Sequence, residues 1–315
     1  MPHAGHHGNP FSLVPQRLRT SVRMPAQGQR ALCRRVALLA VRSLHVELAL
    51  YPKPGLVSRI DNGSHGDMNA ATFLRSLFSL RHYFFRITQA GVDGSSFAIL
   101  RQLGVDAERV MLRATGGINT HRGAIFCIGM LCAAIGRCHA SGRALTPGTV
   151  RATLRQTWGP ALLLHAHSLG AGSHGQQVAL RHAVSGAGEE VALGLPAVFQ
   201  HALPILRQTL SDGRSADCAC IDALFCLMGQ INDTNVYHRG GGAGAAIVKT
   251  RSQEFLRAGG TASVHWRERA MACHQLFIQL KLSPGGAADL LAATWFVHLA
   301  TATSLSPDTV ERSGR

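Results

Sequence analysis

The sequence predicts an all-α fold, a single compact multi-helix domain in which polar loops between the helices carry the chemistry. Apolar residues recur at helical spacings along most of the chain, and strand-like alternation is hard to find. The segments with helical spacing are 31–50, 70–87, 107–112, 123–139, 149–158, 196–210, 216–231, 261–282 and 287–304. No fixed-period repeat is present. We therefore expect one helical domain over residues 31–310.

Prolines and glycines set the boundaries of the first and last helices. The helix at 31–50 ends before residues 51–55, where two prolines and a glycine stop it. A polar loop follows, and apolar residues at helical spacing resume from residue 70. Pro284-Gly285-Gly286 marks the entry into the last helix.

The charge distribution is uneven. The formal net charge is +15, and seven arginines precede the first acid, Glu47. We expect residues 1–30 to form a basic, disordered tail, because they lack the apolar core of a signal peptide. A basic surface attracts nucleic acid, acidic lipid or phosphate-rich small molecules, and charge alone does not choose among them. Aromatic residues, at 6%, are sparse for stacking on bases, so we expect no nucleic-acid partner.

Membrane and disulfide chemistry are not indicated. No apolar run reaches the roughly 20 residues of a membrane-spanning helix, and the longest, 124–135, is predicted to be a buried helix. The eight cysteines lie mostly in apolar runs and form no C-x-x-C pair. This pattern predicts reduced core thiols in a cytoplasmic protein without a membrane partner.

The densest polar cluster is the loop 53–69. Carboxylate oxygens are hard ligands, so Asp61 and Asp67 are candidates to share a Mg²⁺ ion that retains water and substrate phosphate. Lys53 and Arg59 are candidates to neutralise phosphate oxygens. The alternative is a solvated turn whose Asp and Asn residues cap helices.

A second cluster, 115–123, immediately precedes the apolar helix at 123–139. Backbone N–H groups at a helix N-terminus, two glycines and Arg122 would together form a cradle for phosphate. The alternative is that Asn119 or Thr120 only caps the helix and His121 lies on the surface.

A third cluster, 232–242, follows the helix at 216–231. Asp233 is a candidate metal ligand or base, Asn235 is placed to order a hydroxyl or a metal-bound water, and Arg239 with the following glycines is placed to hold phosphate. The alternative is a helix C-terminus with a glycine stop and a basic residue favoured by the helix dipole.

Residues 170–175 satisfy the pattern G-x-G-x-x-G, with Glu189 downstream. A dinucleotide-binding fold is nevertheless not indicated, because no alternating strand and helix pattern surrounds the glycines. The segment remains a candidate loop that presents His174 to a nucleotide.

Several of these segments form ordered blocks. Read together, ELALYPKPGLVS (47–58), NGSHGDM (62–68) and TGGINTHRGAIF (115–126) resemble successive motifs of the triphosphoribosyl-dephospho-CoA synthases. His174-Gly175, Glu189 with Leu195-Pro196, and DTNVYHRGG (233–241) are similar to the remaining blocks, so the resemblance covers residues 31–304. The residues around 50–52 and the C-terminal segment 282–298 are more similar to the malonate decarboxylase branch than to the citrate lyase branch.

The resemblance implies an enzyme that joins ATP to 3′-dephospho-CoA with loss of adenine, with Mg²⁺ as cofactor and the polar loops forming a nucleotide site. The product would be the precursor of the prosthetic group of the malonate decarboxylase acyl-carrier subunit, attached by a separate prosthetic-group transferase. The catalytic candidates are Asp67, Asp233, His65, His121 and His238. The substrate-binding candidates are Lys53, Arg59, Asn119, Arg122, His174, Asn235 and Arg239. The metal-binding candidates are Asp61, Asp67, Glu189 and Asp233.

Three positions depart from the family pattern. Asn69 stands where an acid is expected, Gly188 where an arginine is common, and Ala183 where a glycine is common. If the missing acid is a metal ligand, or the missing arginine a phosphate contact, this chain would be slow or inactive. A helical scaffold of the family without its chemistry, or the same reaction serving citrate lyase, is therefore an alternative function.

Overall fold

The computed structural model describes residues 26–168 and 187–302, and within these ranges it contains helices and no strand. About 78% of the described residues are helical, which confirms the all-α prediction. The α-helices are α1 (Ala26–Ala49), α2 (Ala70–Ser79), α3 (Arg81–Val92), α4 (Phe97–Thr115), α5 (Arg122–Ala140), α6 (Pro147–Ser168), α7 (Ala187–Ala192), α8 (Leu203–Ser211), α9 (Ala216–Gln230), α10 (Thr234–Arg257), α11 (Trp266–Gln279) and α12 (Gly285–Ala302). A π-helical turn, Ala197–Ala202, precedes α8, and a 3₁₀ turn, Gly260–Ala262, precedes α11.

Helix α5 lies at the centre of one continuous hydrophobic core. It packs most extensively against α3, and also against α6 and α12. Glycines allow the close approach: a Cβ atom on Gly91 would lie 2.1 Å from the Ala133 carbonyl oxygen, and one on Gly136 would lie 2.3 Å from the Thr88 carbonyl oxygen. Among the described residues, α5 is also the one helix long and apolar enough to cross a membrane, but 72% of its apolar window is buried inside the protein.

Two predicted boundaries were wrong. The segment 70–87 is two helices, because the chain bends at Leu80, whose N–H bonds to the Leu77 carbonyl three residues back. Residues 234–242, predicted as a loop or as the end of a helix, form the first turns of α10, with Asp233 as the residue that caps its N-terminus. Glycine is needed at positions 240 and 244, because a Cβ atom on either would overlap the Leu282 side chain.

Other helices were placed correctly but with inexact bounds. Helix α4 extends well beyond the predicted 107–112, and α6 beyond the predicted 149–158. Helix α1 begins at Ala26, inside the segment predicted as a tail. All eight cysteines are free and seven of them are buried, as predicted for reduced core residues.

Candidate active site

Polar segments far apart in sequence meet at one end of the helical domain. The loop 50–69 between α1 and α2 packs against the end of α11 and the residues that follow it. In this contact, Ser64 Oγ donates a hydrogen bond to the Leu282 carbonyl oxygen at 2.6 Å. The N-terminus of α12 follows directly and contacts the N-termini of α5 and α10 through Gly123 and Asp233. The three predicted clusters therefore share one region.

A buried ion pair lies at the start of this loop. The chain reverses direction after α1, and Lys53 Nζ comes to lie 2.5 Å from Glu47 Oε1, with side chains only 1% and 7% exposed. Burial lowers the pKa of Lys53 and raises the pKa of Glu47, while each charge opposes the shift of the other. Lys53, predicted as a phosphate ligand, thus has a carboxylate partner inside the protein.

His274 on α11 anchors the same loop. Its Nε2 lies 3.0 Å from Asp61 Oδ2, and its Nδ1 lies 2.8 Å from the Lys53 carbonyl oxygen. The other oxygen of Asp61 accepts a hydrogen bond from the Gly63 N–H at 2.8 Å. Sequence reasoning missed His274, because nothing near it in the sequence shows that it contacts residues more than two hundred positions away. Asp61 thus shapes the loop.

The loop and α10 are joined by Arg239. Its Nη2 lies 3.1 Å from His65 Nδ1. A guanidinium only donates hydrogen bonds, so His65 Nδ1 accepts, and the ring carries its proton on Nε2, 2.8 Å from Ser283 Oγ. Burial and the Arg239 charge both lower the pKa of His65. Asp67 Oδ1 lies 3.6 Å from His65 Nδ1 and is largely exposed. The structure thus brings His65, Asp67 and Arg239 together.

Asp233 connects two helix N-termini. Its Oδ1 accepts a hydrogen bond from the Asn235 backbone N–H at 2.9 Å, and its Oδ2 accepts one from the Ala287 N–H at 2.9 Å. Burial raises the pKa of this carboxyl, and the N–H donors oppose that shift. A Cβ atom on Gly286 would lie 3.0 Å from the carboxylate, so this glycine in the first turn of α12 leaves room for it.

The N-terminus of α5 carries the second cluster. Asn119 Oδ1 accepts a hydrogen bond from the Arg122 N–H at 3.2 Å, so Asn119 caps the helix. The Arg122 guanidinium is partly exposed and pairs with Glu108. The capping alternative placed His121 on the surface, and that part of it is wrong, since only 2% of the residue is exposed. Burial, reinforced by the Lys53 charge, lowers the pKa of His121 to about 3.

Asp289 is a second site residue that sequence reasoning missed. It lies on α12 against the first turn of α5, where a Cβ atom on Gly123 would come within 2.1 Å of Asp289 Oδ2. Burial raises the pKa of Asp289 well above its usual range, and the carboxylates of Glu47 and Asp233 add to the effect. The available signal was a single acid in the otherwise apolar segment 287–302.

Other predicted residues lie further out. Arg59 is exposed at the tip of the loop, and His238 is exposed on α10. Glu189 lies on α7 beside Glu190, whose carboxylate accepts a hydrogen bond from the Ala197 N–H at 2.7 Å. His174 and Ala183 fall outside the described residues.

Asn69, which stands where an acid was expected, has a structural role. Its Oδ1 accepts the Thr72 N–H at 3.1 Å and so caps α2. Within 26–168 and 187–302, no three His, Cys, Asp or Glu side chains are grouped closely enough to hold a metal ion.

Comparison with known proteins identifies the family. The profile of the CitG family, described as ATP:dephospho-CoA triphosphoribosyl transferase, matches residues 33–307. The chain belongs to this family. The matched region contains every segment of the candidate site described above, from Glu47 to Asp289. This confirms the predicted enzyme class.

Three curated relatives illustrate the match. A chain from Acinetobacter calcoaceticus, named "Probable 2-(5''-triphosphoribosyl)-3'-dephosphocoenzyme-A synthase", is 39% identical over 84% of this chain and 90% of its own length. One from Vibrio cholerae with the same name is 34% identical over 90% of this chain and 96% of its own length. One from Pectobacterium atrosepticum, named "2-(5''-triphosphoribosyl)-3'-dephosphocoenzyme-A synthase", is 37% identical over 81% of this chain and 86% of its own length. No solved structure matches this member of the CitG family.

Proposed function

We propose that the protein transfers the triphosphoribosyl group of ATP to the 2′-hydroxyl of 3′-dephospho-CoA and releases adenine. Membership of the family and the names of its relatives support this reaction. The observation that carries the proposal is the grouping of the Asp289 carboxyl with those of Glu47 and Asp233, where the N-termini of α5, α10 and α12 meet and Lys53 pairs with Glu47.

The chemistry explains why carboxylates are needed. The acceptor 2′-oxygen forms a bond to C1′ of the ATP ribose, and the bond from C1′ to the adenine nitrogen breaks. The hydroxyl proton goes to a base, the departing adenine takes up a proton, and the triphosphate stays on the ribose. By analogy with glycoside transfer, positive charge develops on the sugar in the transition state, and a nearby carboxylate stabilises it.

Asp289 and Asp233 are the proposed acid and base. Burial and two neighbouring carboxylates raise the pKa of Asp289 well above its usual range, so this carboxyl is suited to hold a proton and donate it to adenine. Asp233 receives several N–H donors that favour its charged form, so we assign it to the developing positive charge and the hydroxyl proton. Two carboxyl groups with different environments thereby take different roles.

Cationic groups on two helices are proposed to hold the triphosphate. Arg239 precedes Gly241, whose backbone angles (φ 59°, ψ −158°) break α10 into two helical segments. Such a conformation is essentially restricted to glycine. The half-buried Gly241 and the exposed Gly242 present backbone without side chains close in sequence to the Arg239 guanidinium. Arg122, at the N-terminus of α5, is the second proposed contact.

We propose Mg²⁺ as the cofactor, with ligands drawn from Asp61, Asp67, Glu189 and Asp233. The exposed carboxylate of Asp67, beside Arg239 and His65, fits this ion best, because Mg²⁺ retains several waters and uses only one or two carboxylates together with substrate phosphates. When bound, it would neutralise triphosphate charge. A preformed three-ligand site is not needed for that role.

We propose that the product serves malonate decarboxylase. Segment 50–52 and the first residues of 282–298, which suggested this branch, lie at the candidate site: Tyr51 contacts the His274 ring edge to face at 5.7 Å, and Leu282 packs on the glycines of α10. The product would become the prosthetic group of the acyl-carrier subunit through a separate transferase. We propose a cytoplasmic location and no nucleic-acid or membrane partner.

The test is to incubate the purified protein with ATP, Mg²⁺ and 3′-dephospho-CoA and to measure free adenine and the mass of the coupled product. Adenine that forms only when both substrates are present supports the proposal. We expect Asp289→Asn to abolish it, whereas Asp106→Asn, a change to an exposed acid on α4, leaves it unchanged.

Other outcomes identify the alternatives. A folded protein that releases no adenine is an inactive scaffold. Tight DNA binding that weakens steeply with salt would instead indicate a nucleic-acid protein. Because both branches use the same product, they are distinguished in cells that lack this protein, by which acyl-carrier subunit, that of malonate decarboxylase or that of citrate lyase, is left without its prosthetic group.

A further inference from the structure

One side of the His121 ring is fixed by two hydroxyl groups. Thr120 Oγ1 donates a hydrogen bond to Ser76 Oγ at 2.7 Å, and Ser76 Oγ lies 2.6 Å from His121 Nδ1. Ser76 Oγ accepts the Thr120 proton and still has its own hydroxyl proton to donate, and His121 Nδ1 lies within reach of that proton. We assign Nδ1 as the acceptor of the Ser76 proton, which places the proton of the neutral ring on Nε2.

The other side of the ring carries an unpaired donor. His121 is only 2% exposed, and its Nε2 is one of the few buried side-chain nitrogens in the described part of the chain without a hydrogen-bond partner. Proteins rarely leave such a group unsatisfied, because it has lost its hydrogen bonds to water and gained none in return. Because this nitrogen lies at the N-terminus of α5 beside the candidate site, we expect it to pair with a ligand atom.

The surroundings keep this ring uncharged. It is buried between α2 and the first turn of α5, with the Phe73 ring edge-on at 5.0 Å. The Lys53 ammonium adds positive charge nearby, and burial together with that charge lowers the pKa of His121 to about 3. Lys53 is the charged group that shifts this pKa, and its own charge is balanced by Glu47. An imidazole in this environment does not take up a proton at neutral pH.

We infer that His121 is a fixed, neutral donor whose Nε2–H binds an acceptor atom of ATP, and that it does not carry a proton during the reaction. The inference rests on the proposed function, which supplies the nucleotide. The acceptor is a ring nitrogen of the leaving adenine or an oxygen of the triphosphate. Both accept from an uncharged N–H, and a bond to the departing base would strengthen as negative charge develops on it.

The tautomer and the ligand contact can be observed directly. In the full-length protein with ¹⁵N-labelled histidine, we expect His121 to carry its proton on Nε2 and to remain neutral from about pH 8 to about pH 5. Adding Mg²⁺ and ATP without the acceptor should shift the Nε2 resonance. A proton on Nδ1, a charged ring near neutral pH, or an Nε2 resonance that ATP leaves unchanged overturns the inference. This readout does not require turnover, so it stands apart from failure of the proposed reaction.

Variants separate a substrate contact from a structural role. His121→Phe should lower kcat about 100-fold, the typical loss of one donor aimed at developing charge, without altering the shape of the pH profile. Ser76→Ala should lower kcat less than His121→Phe does, and it should allow the ring proton to occupy either nitrogen. Ser79→Ala is the matched control, since Ser79 Oγ bonds only to the Ser76 carbonyl oxygen. A changed pH profile in His121→Phe would show that the residue carries a proton and would overturn the inference.

Modified nucleotides identify the acceptor atom. If His121 binds the base, 7-deaza-ATP or 3-deaza-ATP should slow the wild-type enzyme more than it slows His121→Phe, because one contact that the analogue removes is already missing in the variant. If both analogues cost the same in the two proteins, the acceptor is a triphosphate oxygen. Circular dichroism and thermal unfolding of each variant confirm that it is folded before its kinetics are compared.

Discussion

Asp233 and Ala287 are joined by a hydrogen bond of 2.9 Å between a carboxylate oxygen and a backbone N–H, although 54 positions separate them in the sequence. The same carboxylate caps α10, so one side chain fixes the N-termini of two helices. The positive ends of both helix dipoles therefore meet at a buried negative charge. The structural role and the proposed chemical role coincide at this residue, and substitutions can separate them.

We expect Asp233→Ala to lose about 1–2 kcal/mol of stability, because a capping acceptor disappears. Asp233→Asn keeps an acceptor oxygen and should lose less stability, yet both variants should lose adenine release about 100-fold or more if the charged carboxylate takes part in the reaction. Urea unfolding and the adenine assay measure the two effects.

The matched control for Asp233 is Ser215→Ala. Ser215 Oγ caps α9 through the Cys218 N–H at 3.2 Å, away from the site. This variant should lose about 1 kcal/mol of stability and retain activity. Full turnover by Asp233→Asn would contradict the assigned role.

Gly123→Ala should inactivate the protein without contacting substrate. The new methyl group would overlap Asp289 Oδ2, which lies 2.1 Å from the position of the Cβ atom, so the carboxyl must move. Gly148→Ala is a suitable control, because it is also near the start of a helix and the nearest atom to its Cβ is 3.9 Å away. Equal activity in the two variants would show that Asp289 need not occupy its present position.

The buried pair of Glu47 and Lys53 should be costly to break from one side. Lys53→Met leaves Glu47 buried without its partner, which typically destabilises by about 3–5 kcal/mol. Adding Glu47→Gln should recover part of that loss. The exposed pair Arg251 and Glu254 provides the comparison: Arg251→Ala should change stability by less than about 1 kcal/mol. Urea unfolding measures all four proteins, and a small loss in Lys53→Met would argue against a charged pair.

His121 should make the protein less stable in acid. Its folded pKa is about 3, whereas an unfolded histidine titrates near 6.5. The unfolded chain therefore binds more protons between these values, so the stability contributed by the neutral ring is present above about pH 6.5 and is lost as the pH falls below it.

The pH effect is isolated by a comparison. The raised pKa values of Glu47, Asp233 and Asp289 act in the opposite sense, because the folded state holds their protons more tightly. Between about pH 7 and about pH 5, wild type should lose about 2 kcal/mol more than His121→Phe. Urea unfolding at both values measures this, and parallel losses would mean that His121 is protonated in the folded protein.

Helical spacing of apolar residues was enough to predict the fold class, because it shows which face of each helix is buried in the core. Spacing was insufficient at α10, whose first turns contain several glycines with low helix propensity. The helix is stabilised there by the packing of Gly240 and Gly244 against Leu282. This contact joins distant segments, so the spacing of residues in the sequence does not reveal it. The break at Leu80 was likewise missed because the apolar pattern continues across it.

The candidate site was predicted in its parts. The three polar clusters were identified, but their meeting depends on how the helices pack, so the pairing of Lys53 with Glu47 could not be foreseen. Residue type alone also suggested that His121 handles protons, whereas burial makes it a poor base. Asp289 was overlooked because a single acid in an apolar helix resembles an exposed position until the neighbouring helix is in place.

The buried thiols provide a way to follow folding. Because seven of the eight cysteines are buried and none is in a disulfide, a coloured thiol reagent should modify Cys218 rapidly in the native protein and the others only when the core opens. The absorbance change of the reagent therefore reports how often the core opens, and no label has to be attached to the protein. Nucleotide that tightens the structure would slow the later modification, so ligand binding can be followed even in variants that release no adenine.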